Sequence, residues 1–366
     1  MKFLLAPNAF KGTITADKAA SIFREVICEK WPDAQVEVCP IADGGDGTCQ
    51  LLGRQLNLPA YNYQALNPIG RSVSGSFYLN ESQKTAYLDI ATVSGIQWLK
   101  QYEIDAQVTS SYGTGELIRH AIELGSEKIV LGLGGSATVD MGTGILRALG
   151  FLFLDVKGRE IPLFGRGFLS RIAHIQLPLK PLNVRFACLC DVRNYFFGKE
   201  GAVPVFGPQK GIKVQDLRSY EQDTKQVFHL LQSKSNSPLK DKAGFGAAGG
   251  IALGLSAFYP VEMEEGALFF FSQVGMETKV KEADWIITGE GRYDSQSAGG
   301  KGSYELLQLV RRHGKKALLV TSGKEGKSSG FDDMVQLKDL DFNSNDFKEQ
   351  AEKNLYEGLK SYLEKM

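Results

Sequence analysis

The chain has 366 residues and carries 42 Lys+Arg against 42 Asp+Glu, so its formal charge is zero. That balance gives no sequence-wide attraction to nucleic acid or to an anionic membrane, and a hydrophobic content of 43 % excludes a disordered chain. The length exceeds one hydrophobic core of usual size and predicts two domains.

The apolar run at the N-terminus stops at Pro7 and Asn8, short of the ~7–15-residue core of a secretory signal. The charge-free apolar stretch at 245–261 is glycine-broken and short of the ~20 residues of a membrane helix. A cytoplasmic location is expected. Residues 3–5 predict a buried strand. Ala19, Ile22, Phe23, Val26 and Ile27 then repeat at helical spacing, with Thr13 or Thr15 as N-cap and Trp31-Pro32-Asp33 as the stop. Residues 36–41 predict a second strand, and strand–helix–strand opens a parallel, helix-covered sheet. From about 61 to 95, alternating segments such as Tyr61-Asn62-Tyr63 and Ser76-Phe77-Tyr78-Leu79 flank turn clusters such as Asn67-Pro68-Ile69-Gly70 and predict antiparallel strands. The α/β texture returns with helices at 115–124 and 142–149 and strands at 128–133, 151–156 and 184–189. A polar loop is expected at 232–242. Strands at 285–288 and 317–321 and helices at 304–313 and 349–364 complete the pattern, so the first and last thirds are expected to form one domain interrupted by the middle. The five cysteines (Cys28, Cys39, Cys49, Cys188, Cys190) make no disulfide framework.

Glycine is the compositional outlier, 41 of 366 or about 11 % against a typical ~7 %. Much of it clusters just after expected strands, beside acids and small hydroxyl residues: Asp43-Gly44-Gly45-Asp46-Gly47-Thr48, Gly134-Gly135-Ser136-Ala137-Thr138, and Gly289-Glu290-Gly291-Arg292-Tyr293-Asp294. Cys190-Asp191-Val192-Arg193-Asn194 also follows a strand. Ligands of open α/β sheets sit outside the carboxyl ends of strands, where glycine admits close backbone approach and helix N-termini favour phosphate. Acids there repel phosphate unless a cation intervenes, and Mg²⁺ binds through one or two carboxylates plus substrate phosphates. With only four histidines, this combination points to Mg²⁺-dependent phosphoryl transfer. No Walker A motif is present. Two rival readings remain. Gly132-x-Gly134-x-x-Ala137, with Asp155 ending the next expected strand, fits the dinucleotide fingerprint of an NAD(P)-dependent oxidoreductase acting on a small hydroxy acid. The other is a two-domain binding protein without chemistry.

As a set, these motifs resemble the class I bacterial glycerate kinases, nearly end to end. The resemblance begins at Ala6-Pro7-Asn8-Ala9-Phe10-Lys11-Gly12 and runs to Tyr293-Asp294-Ser295-Gln296 and Gly300-Lys301, through Phe206-Gly207-Pro208-Gln209-Lys210-Gly211 and Gly246-Ala247-Ala248-Gly249-Gly250. It implies ATP- and Mg²⁺-dependent phosphorylation of D-glycerate, usually to 2-phosphoglycerate, with the 3-position left open. It also implies two α/β domains: a flavodoxin-like doubly wound domain over 1–68 and 282–366, interrupted by a mixed α/β domain over 69–281, with the active site in the cleft between them. The sequence departs from the family pattern at Asn8-Ala9, where Asp-Ser is common, and at Asp46, Val139, Met141 and Tyr195.

Roles follow residue by residue. Asp191 is the expected base for the acceptor hydroxyl, with Asp294 as the second candidate and Lys11 as a point charge for phosphate or carboxylate. Asp43, Asp46 and Glu290 are the expected Mg²⁺ ligands; helix N-capping is the competing role for Asp43 and Asp46. Gly134, Gly135, Ser136 and Thr138 are assigned to the ATP phosphates together with Lys301. Arg71, Asn194, Lys210 and Gln296 are assigned to the substrate. The expected partner is a small-molecule substrate, with no nucleic acid and no membrane, and a homodimer is left open.

Overall fold

The computed structural model describes residues 1–10, 12–180, 182–293, 302–323 and 330–365. The chain begins with strand β1 (Lys2–Leu5), helix Ala16–Lys30 and strand β2 (Gln35–Val38). Thr15 caps the helix by accepting the Lys18 N–H, and Trp31 ends it, as the spacing predicts. The chain forms two compact units, Met1–Asp43 with Ala267–Met366, and Gly44–Gly266.

The second unit holds β3 (Ala60–Leu66), β4 (Ser72–Asn80), β5 (Thr85–Asp89), β6 (Lys128–Gly132), β7 (Leu152–Leu154), β8 (His174–Gln176), β9 (Arg185–Cys190) and β10 (Val261–Glu265). Its main sheet runs β10-β9-β6-β5-β4-β3. β10, β9, β6 and β5 are parallel, while β4 and β3 are antiparallel. The expected strand at 151–156 is only β7, and it pairs with β8 in a separate two-stranded sheet. Phe77, Leu88, Leu117, Ile129, Leu131, Leu146 and Phe186 lie in this unit's buried core.

The first unit adds β11 (Trp285–Glu290), β12 (Lys316–Thr321) and β13 (Asp333–Gln336). Its sheet is wholly parallel, in the order β13-β12-β11-β1-β2. Counted within the unit this is 2-1-3-4-5, the doubly wound order whose switch point lies between the first and third strands. Phe3, Leu5, Phe23, Ile27, Ile287, Leu318 and Val320 pack against Leu355 and Leu359 of the last helix, Phe347–Leu363.

These units divide the chain elsewhere than at 68/69 and 281/282. Residues 44–68 stay with the second unit because β3 pairs with β4 along its whole length, from Ala60 opposite Tyr78 to Leu66 opposite Ser72. Helix Met276–Glu282 stays with the first, where Lys279 pairs with Glu37 of β2 and Glu282 with Lys2 of β1. No helix among the described residues is long and apolar enough to cross a membrane.

Candidate active site

In the second unit the parallel strands end in loops that line one cavity of about 320 Å³. β6 supplies Gly134, Gly135 and Ser136, β9 supplies Asp191, and the short turn Pro208–Lys210 supplies Lys210. Gly134 is required by close approach: a Cβ there would lie 2.3 Å from the backbone of Gly45 and of Asp46. Gly134→Ala is therefore expected to destabilise the protein by ~1–3 kcal/mol, read as a lowered melting temperature. An unchanged Tm would mean that the two loops are not in contact.

Lys210 is 5 % exposed. Its ammonium donates to Ser136 Oγ at 2.6 Å and to the Thr138 carbonyl at 2.9 Å, and burial pushes its pKa down to about 8. Its hydrogen-bond partners are neutral oxygens, and the one acid that acts on it, Asp140, only partly offsets the desolvation. Asp140 itself is occupied: it accepts from the Ser111 N–H and hydroxyl and from the N–H groups of Gly142 and Gly144. A buried cation in this setting favours an anionic ligand.

The other assigned residues of this unit do not line the cavity. The Thr138 hydroxyl is buried without a hydrogen-bond partner among the described residues, and only its carbonyl serves the site, through Lys210. The Asn194 side chain donates to the Glu200 carbonyl at 2.7 Å and closes its own loop. Arg71 is exposed and pairs with Glu103. Asp46 is exposed, and its carboxylate lies 3.2 Å from where a Cβ on Gly135 would stand.

Neither Asp43 nor Asp46 caps the helix Thr48–Gln55. Its N-cap is Gly47 at φ +79°, and the side chain that reaches its first turn is Asp89 at the end of β5, which accepts the N–H groups of Cys49 and Gln50 at 3.0 and 2.9 Å. Burial raises the Asp89 pKa to about 7. Sequence reasoning missed Asp89 because no local pattern joins it to a helix forty residues upstream. Gly246–Gly250 is a tightly packed turn: a Cβ on Gly249 would stand 2.1 Å from the Thr138 carbonyl, while Ala247 and Ala248 line the cavity.

In the first unit, a second cavity of about 300 Å³ opens at the carboxyl ends of the parallel strands. Asp43 and Glu290 line it, 4 % and 6 % exposed, and Asn8 Nδ2 donates to Asp43 Oδ2 at 3.1 Å. Among the described residues no three His, Cys, Asp or Glu side chains gather as a metal cluster. Lys11, Asp294, Gln296 and Lys301 lie outside the described residues.

The dinucleotide reading fails on local structure. The fingerprint needs a helix opening directly after its first glycines, but after Gly132 the chain runs irregularly until helix Thr143–Ala148. Asp155 belongs to the turn after β7 and is held by Arg159. Thiol chemistry is also unsupported at neutral pH: burial pushes the Cys190 thiol, next to Asp191, up to about 11.

A glycine loop, a buried lysine and a carboxylate at the strand ends of an α/β scaffold are suited to phosphoryl transfer, the chemistry of a kinase. The sequence profile of the glycerate kinase family matches residues 3–365, and the chain belongs to that family. It is 34 % identical to the glycerate kinase of Haemophilus influenzae over 97 % of this chain and 96 % of the relative. It is 33 % identical to the glycerate 2-kinase of Escherichia coli over 87 % and 84 %. It is 36 % identical to the glycerate kinase of Bacillus subtilis over 82 % and 79 %. A crystal structure from Salmonella typhimurium LT2, assigned as glycerate kinase 2, superposes with a TM-score of 0.84 at 31 % identity, covering 99 % of this chain and 97 % of that one.

Proposed function

We propose that this protein transfers the γ-phosphoryl group of ATP to a hydroxyl of D-glycerate, giving 2-phosphoglycerate and ADP. The observation that carries the reading is Lys210, a buried ammonium held by neutral oxygens at a cavity shared with Asp191 and the glycine loop. The 2-position is supported by kinship with the Escherichia coli glycerate 2-kinase.

In this mechanism Asp191 accepts the proton of the attacking hydroxyl as the oxygen–phosphorus bond forms. Lys210 and Ser136 offset the charge on the transferred phosphoryl oxygens, and the Gly134–Gly135 backbone admits the phosphates closely. Asp43 and Glu290 are hard oxygen donors, buried on one cavity, and one or two carboxylates suffice for Mg²⁺ when phosphates complete its shell. They would hold the ion, which neutralises phosphate charge. Asp43→Asn is accordingly expected to raise the Mg²⁺ concentration for half-maximal rate by ~10-fold or more, and calorimetric Mg²⁺ binding should weaken in parallel.

The test is incubation with D-glycerate, ATP and Mg²⁺. ADP should appear, EDTA should stop it, and phosphorus NMR should show the 2-phosphate. No ADP release, with reduction of NAD(P)⁺ by a hydroxy acid, would overturn the kinase reading; the 3-phosphate would overturn only the position.

A further inference from the structure

The two cavities differ in chemistry. The second unit's cavity presents a buried ammonium. The first unit's presents two buried carboxylates, the cations Arg292 and Lys338, and a broad apolar wall. Phe10 and Ile14, just beyond β1, form one side of that wall; Leu337 and Leu340, just beyond β13, form the other. Phe342 stands at the mouth, 65 % exposed, with its ring 5.9 Å from that of Phe347.

Glycerate is a small anion with no apolar face. Arg292 and Lys338 on the lining offset the repulsion of its carboxylate by Asp43 and Glu290, but the apolar wall offers it nothing. A purine nucleoside has two apolar ring faces for such a wall. The cavity also lies at the carboxyl end of a 2-1-3-4-5 parallel sheet, lined from the ends of all five strands, where such sheets take their ligands. Its volume, about 300 Å³, is at the small end of the range for such sites.

We propose that this cavity of the first unit binds the purine nucleoside of the phosphoryl donor, with the ring against Phe10, Ile14, Leu337 and Leu340 and with Phe342 covering its outer edge. The assignment rests on the reading of the chain as an ATP-dependent kinase.

Adenosine, which lacks the phosphates, is the probe, and the full chain is titrated by calorimetry and by ligand-observed NMR. Wild-type protein should bind adenosine without glycerate or Mg²⁺. Leu340→Glu, which sets a carboxylate against the ring face, and Phe342→Ala, which removes the outer cover, should each weaken adenosine binding by ~10-fold or more. The same variants should raise the KM for ATP by a similar factor and leave the KM for glycerate unmoved. Adenosine binding by a protein that does not phosphorylate glycerate would support the cavity assignment while removing the glycerate reading. A protein that phosphorylates glycerate, yet binds adenosine equally well in wild type and both variants with the KM for ATP unchanged, would overturn the cavity assignment alone.

Discussion

Replacing Lys210 by methionine is expected to lower phosphoryl transfer to D-glycerate by ~10³-fold, with only a small change in melting temperature. Methionine keeps the length and the apolar stem of a side chain that is 5 % exposed. It removes the ammonium, and with it the bonds to Ser136 and Thr138, but it also removes a desolvated charge. The two stability effects oppose each other, whereas the effect on the reaction has one sign. The pH dependence separates them further. Burial lowers the Lys210 pKa from 10.5 to about 8, so the ammonium is lost from the folded protein as pH rises through about 8. The unfolded chain keeps that proton up to about 10.5, so this group's contribution to stability rises between those values. Activity must run the other way and fall above about pH 8. Thermal melts and kcat/KM measured over the same pH series should therefore diverge. Lys210→Arg, whose guanidinium stays charged, should lose the alkaline decline. A wild-type rate that stays flat through about pH 9 would remove Lys210 from the role.

The fold was legible where burial leaves a period and opaque where it does not. Helix Ala16–Lys30 shows its stripe and its cap in the sequence, and β3 and β4 show alternation and a turn. β5 shows neither, because every residue of it is buried; it joins the antiparallel β4 on one side and the parallel β6 on the other. Helix Leu217–Lys234 passes unnoticed because its surface is polar. Its buried residues, Tyr220, Thr224, Val227 and Leu231, nevertheless fall at helical spacing, and that signal would have found it. β13 buries a single residue, Val335, too little for any pattern.

The candidate site was legible at the level of strand ends. The glycine clusters after β6 and the acid after β9 lie where parallel strands put their ligands, and the cavity joins Gly134, Gly135, Ser136, Asp191 and Lys210. What the sequence could not supply was side-chain direction. Arg71, Asn194 and the Thr138 hydroxyl sit in loops of promising composition, but each is committed to or buried in its own surroundings. Asp89 is the converse case, an acid in an unremarked strand that holds the first turn of a distant helix.

Asp191→Asn is expected to cost ~10²-fold or more in kcat, with little change in the KM for glycerate. Asp191 follows β9 directly, and the neighbouring Cys190 is held in register opposite Glu265 of β10, so the sheet fixes where its backbone stands. The residue is half-buried and lines the cavity that Lys210 shares. Asparagine keeps the shape and one acceptor oxygen but cannot take a proton, so binding should survive while proton removal fails. A substitution that loses only a transition-state interaction lowers kcat and kcat/KM together. Asp191→Glu restores a carboxylate at the wrong reach and should fall between wild type and Asp191→Asn. If the variant instead raises KM at unchanged kcat, Asp191 binds substrate rather than accepting its proton. A near-wild-type rate would assign the base to Asp294.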